Sequence, residues 1–239
     1  MAAIMKVRDR YVNGEYINQN TDWHNSDAPY KAGKIIEILK QTGHLSDISS
    51  VCDVGCGTGS ILENLMSAFS SSDVRFVGYE PSPQAFDIAA GLRAESPIEI
   101  LQGDNTTLPD GWDLLLAIDV FEHVEDYFGF LRSLHGKSKL YAFHIPLDMT
   151  LNAVLRSQRL LKTRAELGHL HYFQWDTALA TVTECGYTID AVLPTAIAAD
   201  QSESVGWRIA GPLQKLGMTV SPKVVSRILG GVSLMVLAH

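Results

Sequence analysis

Short apolar runs and stretches of helical spacing alternate along the chain. Within residues 50–145 the two patterns alternate five times. Strands are predicted at 51–54, 76–79, 98–102, 112–118 and 140–145, and helices at 61–69, from about 83 and over about 124–135. Such alternation predicts a parallel sheet with helices on both faces. The fold class is therefore α/β, with a doubly wound sheet.

The segments before this unit are of two kinds. Residues 1–28 are polar and aromatic without a long periodic pattern, and they predict a short helix or an ordered arm. Residues 29–43 predict a helix that ends at Gly43. We expect a single domain, in which residues 1–45 form an arm and helix and residues 46–146 form the core.

Two segments after the core exceed what a minimal sheet requires. Residues 147–171 predict an amphipathic helix, and residues 194–231 stand between two predicted strands where a tight hairpin would suffice. We expect both insertions to cover the edge of the sheet where the strands end. The polar face of the first insertion carries Arg156, Arg159 and Arg164, which would either bind an anionic group or face water.

Composition narrows the class of protein. The chain has 239 residues, 46% of them apolar, and a formal net charge of −8. This composition suits one domain with a sizeable core, and the acidic balance disfavours a nucleic-acid partner. The three cysteines predict reduced thiols. Neither a signal peptide nor a membrane span is predicted. We expect a cytoplasmic protein, either a monomer or a homodimer.

The most informative stretch is residues 51–60, where a strand runs into an acid and three alternating glycines. Gly55, Gly57 and Gly59 remove side chains that would keep a ligand away from the backbone. The N–H groups of the helix that follows would then face the ligand. An ordinary turn is the alternative interpretation. The pattern predicts a strand–turn–helix that holds a small molecule.

The spacing of the glycines argues against a dinucleotide. Such sites use G-x-G-x-x-G, whereas the position three residues after Gly57 is Ser60. Asp53 would repel a pyrophosphate but suit a cationic group such as a sulfonium. No Walker loop is present in the sequence. An oxidoreductase is therefore disfavoured.

Polar residues recur where the later strands end. Glu80 ends the second predicted strand and is placed to accept hydrogen bonds from ribose hydroxyls. Asp104 and Asn105 follow the third, and Asp104 would accept from an exocyclic amine. Asp119 follows the fourth. Each acid has an alternative role as a helix cap or turn residue. Together they predict a ligand site along one edge of the sheet.

These motifs resemble those of class I S-adenosylmethionine-dependent methyltransferases. The matching phrases are D-V-G-C-G-T-G-S, Y-E-P-S, G-D-N and I-D-V-F-E-H-V-E-D, within residues 30–193. The resemblance is to the small-molecule branch, with bacterial type-11 and type-12-like domains. It implies a mainly parallel seven-stranded, Rossmann-like sheet whose last strand, at 232–237, is antiparallel.

The resemblance also implies S-adenosyl-L-methionine as the cofactor. The residues expected to hold it are Asp53, Gly55, Cys56, Gly57, Gly59, Glu80, Pro81, Asp104, Asn105, Asp119 and Val120. Trp23, with His24, would close over the cofactor or else pack the N-terminal arm down.

Histidines are the candidates for a catalytic base, because their unperturbed pKa is about 6.5. His144 ends the fifth predicted strand and His123 follows the fourth, so these two are the predicted catalytic residues. His169 and His171 would share one face if the segment were extended. The alternative for each is a structural hydrogen bond or a solvent-facing ring. A metal site built from these histidines is a further alternative, but no metal is expected, because the spacing matches no standard zinc signature.

The resulting hypothesis is direct methyl transfer to an oxygen or nitrogen of a small molecule. The protein would mainly position the acceptor. The alternative is a protein that binds the cofactor without catalysis, or a regulator of the same fold.

Overall fold

A computed structural model of the chain describes residues 25–69, 73–93, 95–196 and 217–239. Trp23 and His24 lie outside the described residues. Residues 197–216 of the second expected insertion also lie outside them. The predictions made for these parts of the chain stay predictions.

Strands and helices alternate through the core as the pattern predicts. The strands are β1 (Ser50–Val54), β2 (Arg75–Glu80), β3 (Glu99–Gln102), β4 (Trp112–Ile118), β5 (Ser138–Pro146), β6 (Ile189–Thr195) and β7 (Ser233–Ala238). The helices are α1 (Ala28–Thr42), α2 (Ser60–Met66), α3 (Pro83–Leu92), α4 (Tyr127–Leu134), α5 (Leu151–Leu155), α6 (Gln158–Glu166), α7 (Trp175–Glu184) and α8 (Pro222–Ile228). Short 3₁₀ helices lie at Asn25–Asp27, Leu45–Asp47 and Phe121–His123.

The seven strands form one sheet in the order β3-β2-β1-β4-β5-β7-β6. Strands β1 to β5 pair in parallel, and β7 lies antiparallel between β5 and β6. This confirms the predicted doubly wound, mainly parallel sheet with an antiparallel last strand. The order reverses direction at β1 and β4, so the carboxyl ends of these strands flank the crevice where such sheets bind ligands.

Side chains that alternate along the strands build two cores, one on each face of the sheet. One face packs against α1 and α2 through residues such as Ile35 and Leu62. The other packs against α4 and α7 through Leu131 and Val182. Because the central strands are buried on both faces, they are mainly apolar, as in β4, where every residue after Asp113 is apolar.

The helix expected within residues 147–171 is wrong in its extent and in its packing. The structure has two short helices, α5 and α6, because Arg156 leaves the helical conformation (φ −128°, ψ 74°). The apolar stripe does not pack as the pattern suggests: Leu155 is 75% exposed, and Leu151 and Val154 are also exposed. The three arginines of this insertion are exposed as well.

Smaller differences concern where elements begin. Helix α4 begins at Tyr127 rather than near 124, because the Asp126 carboxylate caps it by accepting a hydrogen bond from the Gly129 N–H at 2.9 Å. Strand β6 extends to Thr195, so the first two residues of the expected 194–231 insertion belong to the sheet. Within the described ranges, the structure has no helix long and apolar enough to cross a membrane.

Candidate functional site

The turn after β1 has the backbone geometry that its glycines allow. Gly55, Gly57 and Gly59 all have positive φ, at 75°, 56° and 76°. Residues other than glycine rarely adopt this backbone conformation. Gly59 is the N-cap of α2, so the turn leads directly into the N-terminus of a helix. Two of the turn's N–H groups, those of Gly55 and Cys56, donate to the Tyr79 carbonyl on β2.

Close packing around this turn joins it to the neighbouring strands. A Cβ atom on Gly55 would lie 2.9 Å from Cγ2 of Val120, which follows β4. A Cβ atom on Gly78 of β2 would lie 2.5 Å from the Cys56 sulfur. The structure therefore brings Gly55, Cys56 and Val120 together at the carboxyl edge of the sheet, as the sequence predicted.

Glu80, at the end of β2, reaches across to the glycine turn. Its Oε2 accepts a hydrogen bond from the Gly57 N–H at 2.8 Å, and its Oε1 accepts one from the Ser82 N–H at 2.8 Å. The side chain is 5% exposed. Burial raises the pKa of Glu80 to about 7, although both N–H groups favour the carboxylate. Each oxygen keeps a second lone pair with which it can accept a ligand hydroxyl.

Asp53 lies beside this group on β1 and is 1% exposed. Neither of its carboxylate oxygens has a hydrogen-bond partner among the residues that the structure describes. Burial, together with the nearby Glu80 charge, raises the pKa of Asp53 to about 7. A buried carboxylate without partners is costly, which makes this position suitable for a ligand that brings a positive charge or donors.

The residues that follow β2 and β3 are less closely tied to the turn. Pro81 is exposed beside Glu80. Asp104 is partly exposed and organises its own loop, where its Oδ1 accepts from the Thr106 N–H at 2.9 Å. The Asn105 side chain donates to Ser133 Oγ of α4 at 2.7 Å, so its amide serves a structural contact here.

Asp119, directly after β4, is the centre of a charged network. It has a positive φ of 54°, and it is the residue other than glycine with this feature among the described ones. Its Oδ2 lies 2.7 Å from Lys31 Nζ, and its Oδ1 lies 2.5 Å from His144 Nδ1. Burial alone would raise the pKa of Asp119, but the charges of His144 and Lys31 hold it well below its usual range. The network joins α1, β4 and β5 at the same edge of the sheet.

Lys31, Lys34 and Lys40 lie at helical spacing in the sequence, a pattern typical of a solvated helix face, but Lys31 is buried. Its side chain is 6% exposed, and the ion pair with Asp119 raises its pKa against the effect of burial. The spacing contained the signal, since Lys31, Ile35 and Ile38 lie on one stripe of the helix, and that stripe packs on the sheet.

His144 has partners on both sides of its ring. The carboxylate of Asp119 can only accept, so Nδ1–H donates to it, and Nε2 lies 2.9 Å from the Thr195 hydroxyl on β6. The side chain is buried. For Nε2 to act as a base on a bound substrate, its contact with Thr195 must first break. The position at the edge agrees with the prediction, while the role of base stays a prediction.

A second cluster forms around the 3₁₀ helix Phe121–His123. Glu122 belongs to an acidic stretch, residues 122–126, whose charge at the start of a helix would favour an exposed position that offsets the helix dipole. Its side chain is instead fully buried. Both of its carboxylate oxygens are without a hydrogen-bond partner among described residues. Burial and then Asp119 raise the pKa of Glu122 well above its usual range. One ligand atom each from Glu122, His123 and His169 lie within 4.8 Å of one another.

His169 and His171 do not act as one pair. The ring of His169 contacts His123 and donates from Nδ1 to Asp148 Oδ2 at 2.5 Å. His171 instead contacts the Val124 carbonyl at 2.9 Å and packs on Tyr127. Their side chains therefore diverge, contrary to a shared face.

Four residues at this edge of the sheet were not predicted from the sequence as functional candidates. They are Lys31, Glu122, Asp148 and Thr195. Asp148 and Thr195 carry no local motif, because their partners come from distant parts of the chain and only the fold brings them together. For Glu122, the signal was the apolar pair directly before it, Val120 and Phe121, which favours burial over an exposed helix start.

Comparisons with known proteins agree with this architecture. Residues 52–138 match the family described as "Methyltransferase domain". (S)-Coclaurine N-methyltransferase of Thalictrum flavum subsp. glaucum is 30% identical over 131 residues, which cover 48% of this chain and 36% of that protein. The match thus spans little more than a third of the length of this curated relative.

Solved structures share the fold at low identity. A putative sarcosine dimethylglycine methyltransferase from Galdieria sulphuraria has a TM-score of 0.61 and 14% identity, covering 87% of this chain and 85% of its own. Magnesium protoporphyrin IX methyltransferase from Synechocystis PCC 6803, solved with bound SAH, has a TM-score of 0.56 and 16% identity, covering 88% and 82%.

Proposed function

Since the chain belongs to the class I S-adenosylmethionine-dependent methyltransferases, we propose that it transfers a methyl group from S-adenosyl-L-methionine to an oxygen or nitrogen of a small molecule. The observation that carries this proposal is the reach of Glu80 from β2 to the Gly57 N–H, beside a buried Asp53. This arrangement places two acids and a left-handed glycine turn around one crevice.

Each part of the crevice suits one part of the cofactor. The Glu80 oxygens have lone pairs for two ribose hydroxyls. Asp53 offers negative charge to a cationic group, and the glycine turn lets the ligand approach the backbone without meeting a Cβ atom. Asp104 and Trp23 remain predicted contacts to the adenine and over the cofactor. The bound SAH of the Synechocystis enzyme supports the same use of this fold.

Acceptor positioning is the main catalytic task, because the sulfonium already provides a good leaving group. Holding the two reactants in line supplies much of the rate. His144 and His123 stay the proposed bases, and Asp119 fixes the ring of His144 through Nδ1. A histidine so oriented takes up the acceptor's proton at Nε2 once the acceptor has replaced Thr195 as its neighbour.

The amine and small-molecule acceptors named for the relatives support the small-molecule class proposed here. The acidic net charge of −8 supports it as well, because it disfavours a nucleic-acid acceptor. The second candidate function is a protein that binds the cofactor without turnover. The burial of His144 between Asp119 and Thr195 favours that candidate, since a base must reach its acceptor.

Isothermal titration calorimetry tests the cofactor first. We expect S-adenosylmethionine to bind and NADH not to bind, and tighter binding of NADH would contradict the proposal. Formation of S-adenosylhomocysteine with a panel of amines, phenols and carboxylic acids then tests turnover. Binding without product for any acceptor class would favour the catalytically silent candidate.

A further inference from the structure

The cluster around Glu122 is held together by the backbone as well as by side chains. The N–H groups of Leu170 and His171 both donate to the Glu122 carbonyl, at 2.8 and 3.1 Å. These bonds fix the loop that carries His169 against the 3₁₀ helix that carries Glu122 and His123. The two histidine rings consequently meet edge to face, with centroids 4.8 Å apart.

We infer that Glu122, His123 and His169 bind one divalent transition-metal ion beside the methyl-transfer edge. Two imidazoles and one carboxylate are a donor set that such ions prefer. His123 Nε2 lies 3.9 Å from Glu122 Oε1, which is too long for a hydrogen bond. Metal–ligand bonds of about 2.0–2.2 Å require each side chain to move inward by about 1 Å or less.

Glu122 supplies an independent observation that points to a ligand. It is fully buried, and neither carboxylate oxygen has a hydrogen-bond partner within the described part of the chain. Buried charges in proteins are paired or coordinate metals. Asp119 and Asp148 add negative charge nearby, against the positive charge of Lys31. A divalent cation would balance this excess.

Asp148 orients one of the proposed ligands without binding the ion itself. Because His169 donates its Nδ1–H to the Asp148 carboxylate at 2.5 Å, the lone pair of the neutral ring is on Nε2. A carboxylate that orients a histidine in this way is the usual support of a metal ligand. Asp148 is therefore a positioning residue for the site.

Sequence spacing could not indicate this site, because His169 comes from a separate loop and the motif of zinc signatures is absent. Three protein ligands leave at least one coordination position for another group. That position suits an acceptor oxygen, whose proton a metal ion makes easier to remove. With His123 holding the ion, His144 is the base in this arrangement. This use of the ion rests on the proposed function, whereas the binding of the ion does not.

Cobalt(II) binding to the EDTA-treated, desalted protein tests the inference. Visible absorption of the bound ion is followed as CoCl₂ is added, and zinc is then used to displace it. We expect one equivalent to bind to the wild type. Glu122→Gln and His169→Ala should abolish saturable binding, and Asp148→Asn should weaken it about 10- to 100-fold. His171→Ala is the matched control and should bind as the wild type does.

Absence of saturable cobalt binding by the wild type would overturn the inference, as would unchanged binding by both Glu122→Gln and His169→Ala. Circular dichroism of the metal-free variants checks the fold. If a ligand variant is unfolded, the partly exposed Asp148 decides, and wild-type affinity in Asp148→Asn counts against the site. Calorimetry with S-adenosylmethionine on the same metal-free sample tests the proposed function separately, because the proposed cofactor residues and metal ligands do not overlap.

Discussion

Glu80 shows how one side chain can serve both the fold and a ligand. We expect Glu80→Ala to weaken S-adenosylmethionine binding by about 1–3 kcal/mol, roughly 5- to 150-fold, because it leaves the ribose hydroxyls and two backbone N–H groups without their acceptor. Calorimetry measures the effect. Glu99→Ala, at an exposed position of β3, is the matched control and should leave S-adenosylmethionine binding unchanged. An unchanged dissociation constant for Glu80→Ala would limit the residue to a turn role.

Asp53 should make the stability of the ligand-free protein depend on pH. Its pKa is about 7 in the folded chain and about 3.9 when unfolded. The folded state therefore holds more protons between these values, and the free energy of unfolding falls as pH rises through this window. We expect Asp53→Asn to remove that part of the decline, so that the variant gains on the wild type between about pH 4 and 7.

Urea denaturation at a series of pH values measures this difference. The gain should approach about 1.4 kcal/mol per pH unit inside the window and become constant above pH 7. Asp110→Asn, with an exposed side chain, serves as the control. Parallel stability curves for Asp53→Asn and the wild type would show that the carboxylate is not buried as described.

At the scale of elements, Asp113 joins three strands at the edge of the sheet opposite the candidate site. On β4, it accepts from Ser49 and Ser50 at β1 and pairs with Lys139 of β5 at 2.7 Å. Burial alone would raise the pKa of Asp113, but these donors hold it below its usual range. The carboxylate form therefore stabilises the registers of β1, β4 and β5 together.

Asp113→Asn should lower the free energy of unfolding by about 2 kcal/mol at pH 7, as expected for hydrogen bonds to a charged group. A lowered pKa gives stability that is present above about pH 4 and is lost as pH falls below it. The gap between wild type and variant should accordingly narrow in acid. A gap that stays constant down to pH 2 would contradict the ionic origin.

Prediction from sequence succeeded where the signal was local and failed where it was not. The period of the apolar residues gave β4 to the residue, and the glycine spacing gave the positive-φ turn. The division of residues 147–171 into two helices was missed, because the break at Arg156 has no proline or glycine to mark it. Glu122 and Asp148 were missed because their surroundings exist only in the folded chain.

At the scale of the whole molecule, the second insertion stays a predicted cover for the acceptor. Helix α8, within it, packs near α7, and Lys223 and Arg227 pair with Asp176 of α7. A deletion that includes α8 would therefore also remove core contacts such as buried Val225. A sharper test leaves α8 in place and changes residues 197–216 alone.

Replacing residues 197–216 with a glycine–serine linker of equal length should spare S-adenosylmethionine binding and abolish methyl transfer. The linker keeps the span between β6 and α8 but removes the side chains expected to line the acceptor pocket. Calorimetry and product formation measure the two effects. A folded variant that still methylates its acceptor would show that this segment is not the cover.

The place of β7 has a consequence for the order in which the chain is made. Strand β6 has β7 as its neighbour in the sheet, and β7 is the last of the seven strands to be synthesised. Until β7 exists, the apolar edge of β5 is open and β6 has no strand beside it. A nascent chain therefore contains an incomplete sheet whose unpaired strand edge can bind other chains. Such intermediates aggregate readily and are bound by chaperones.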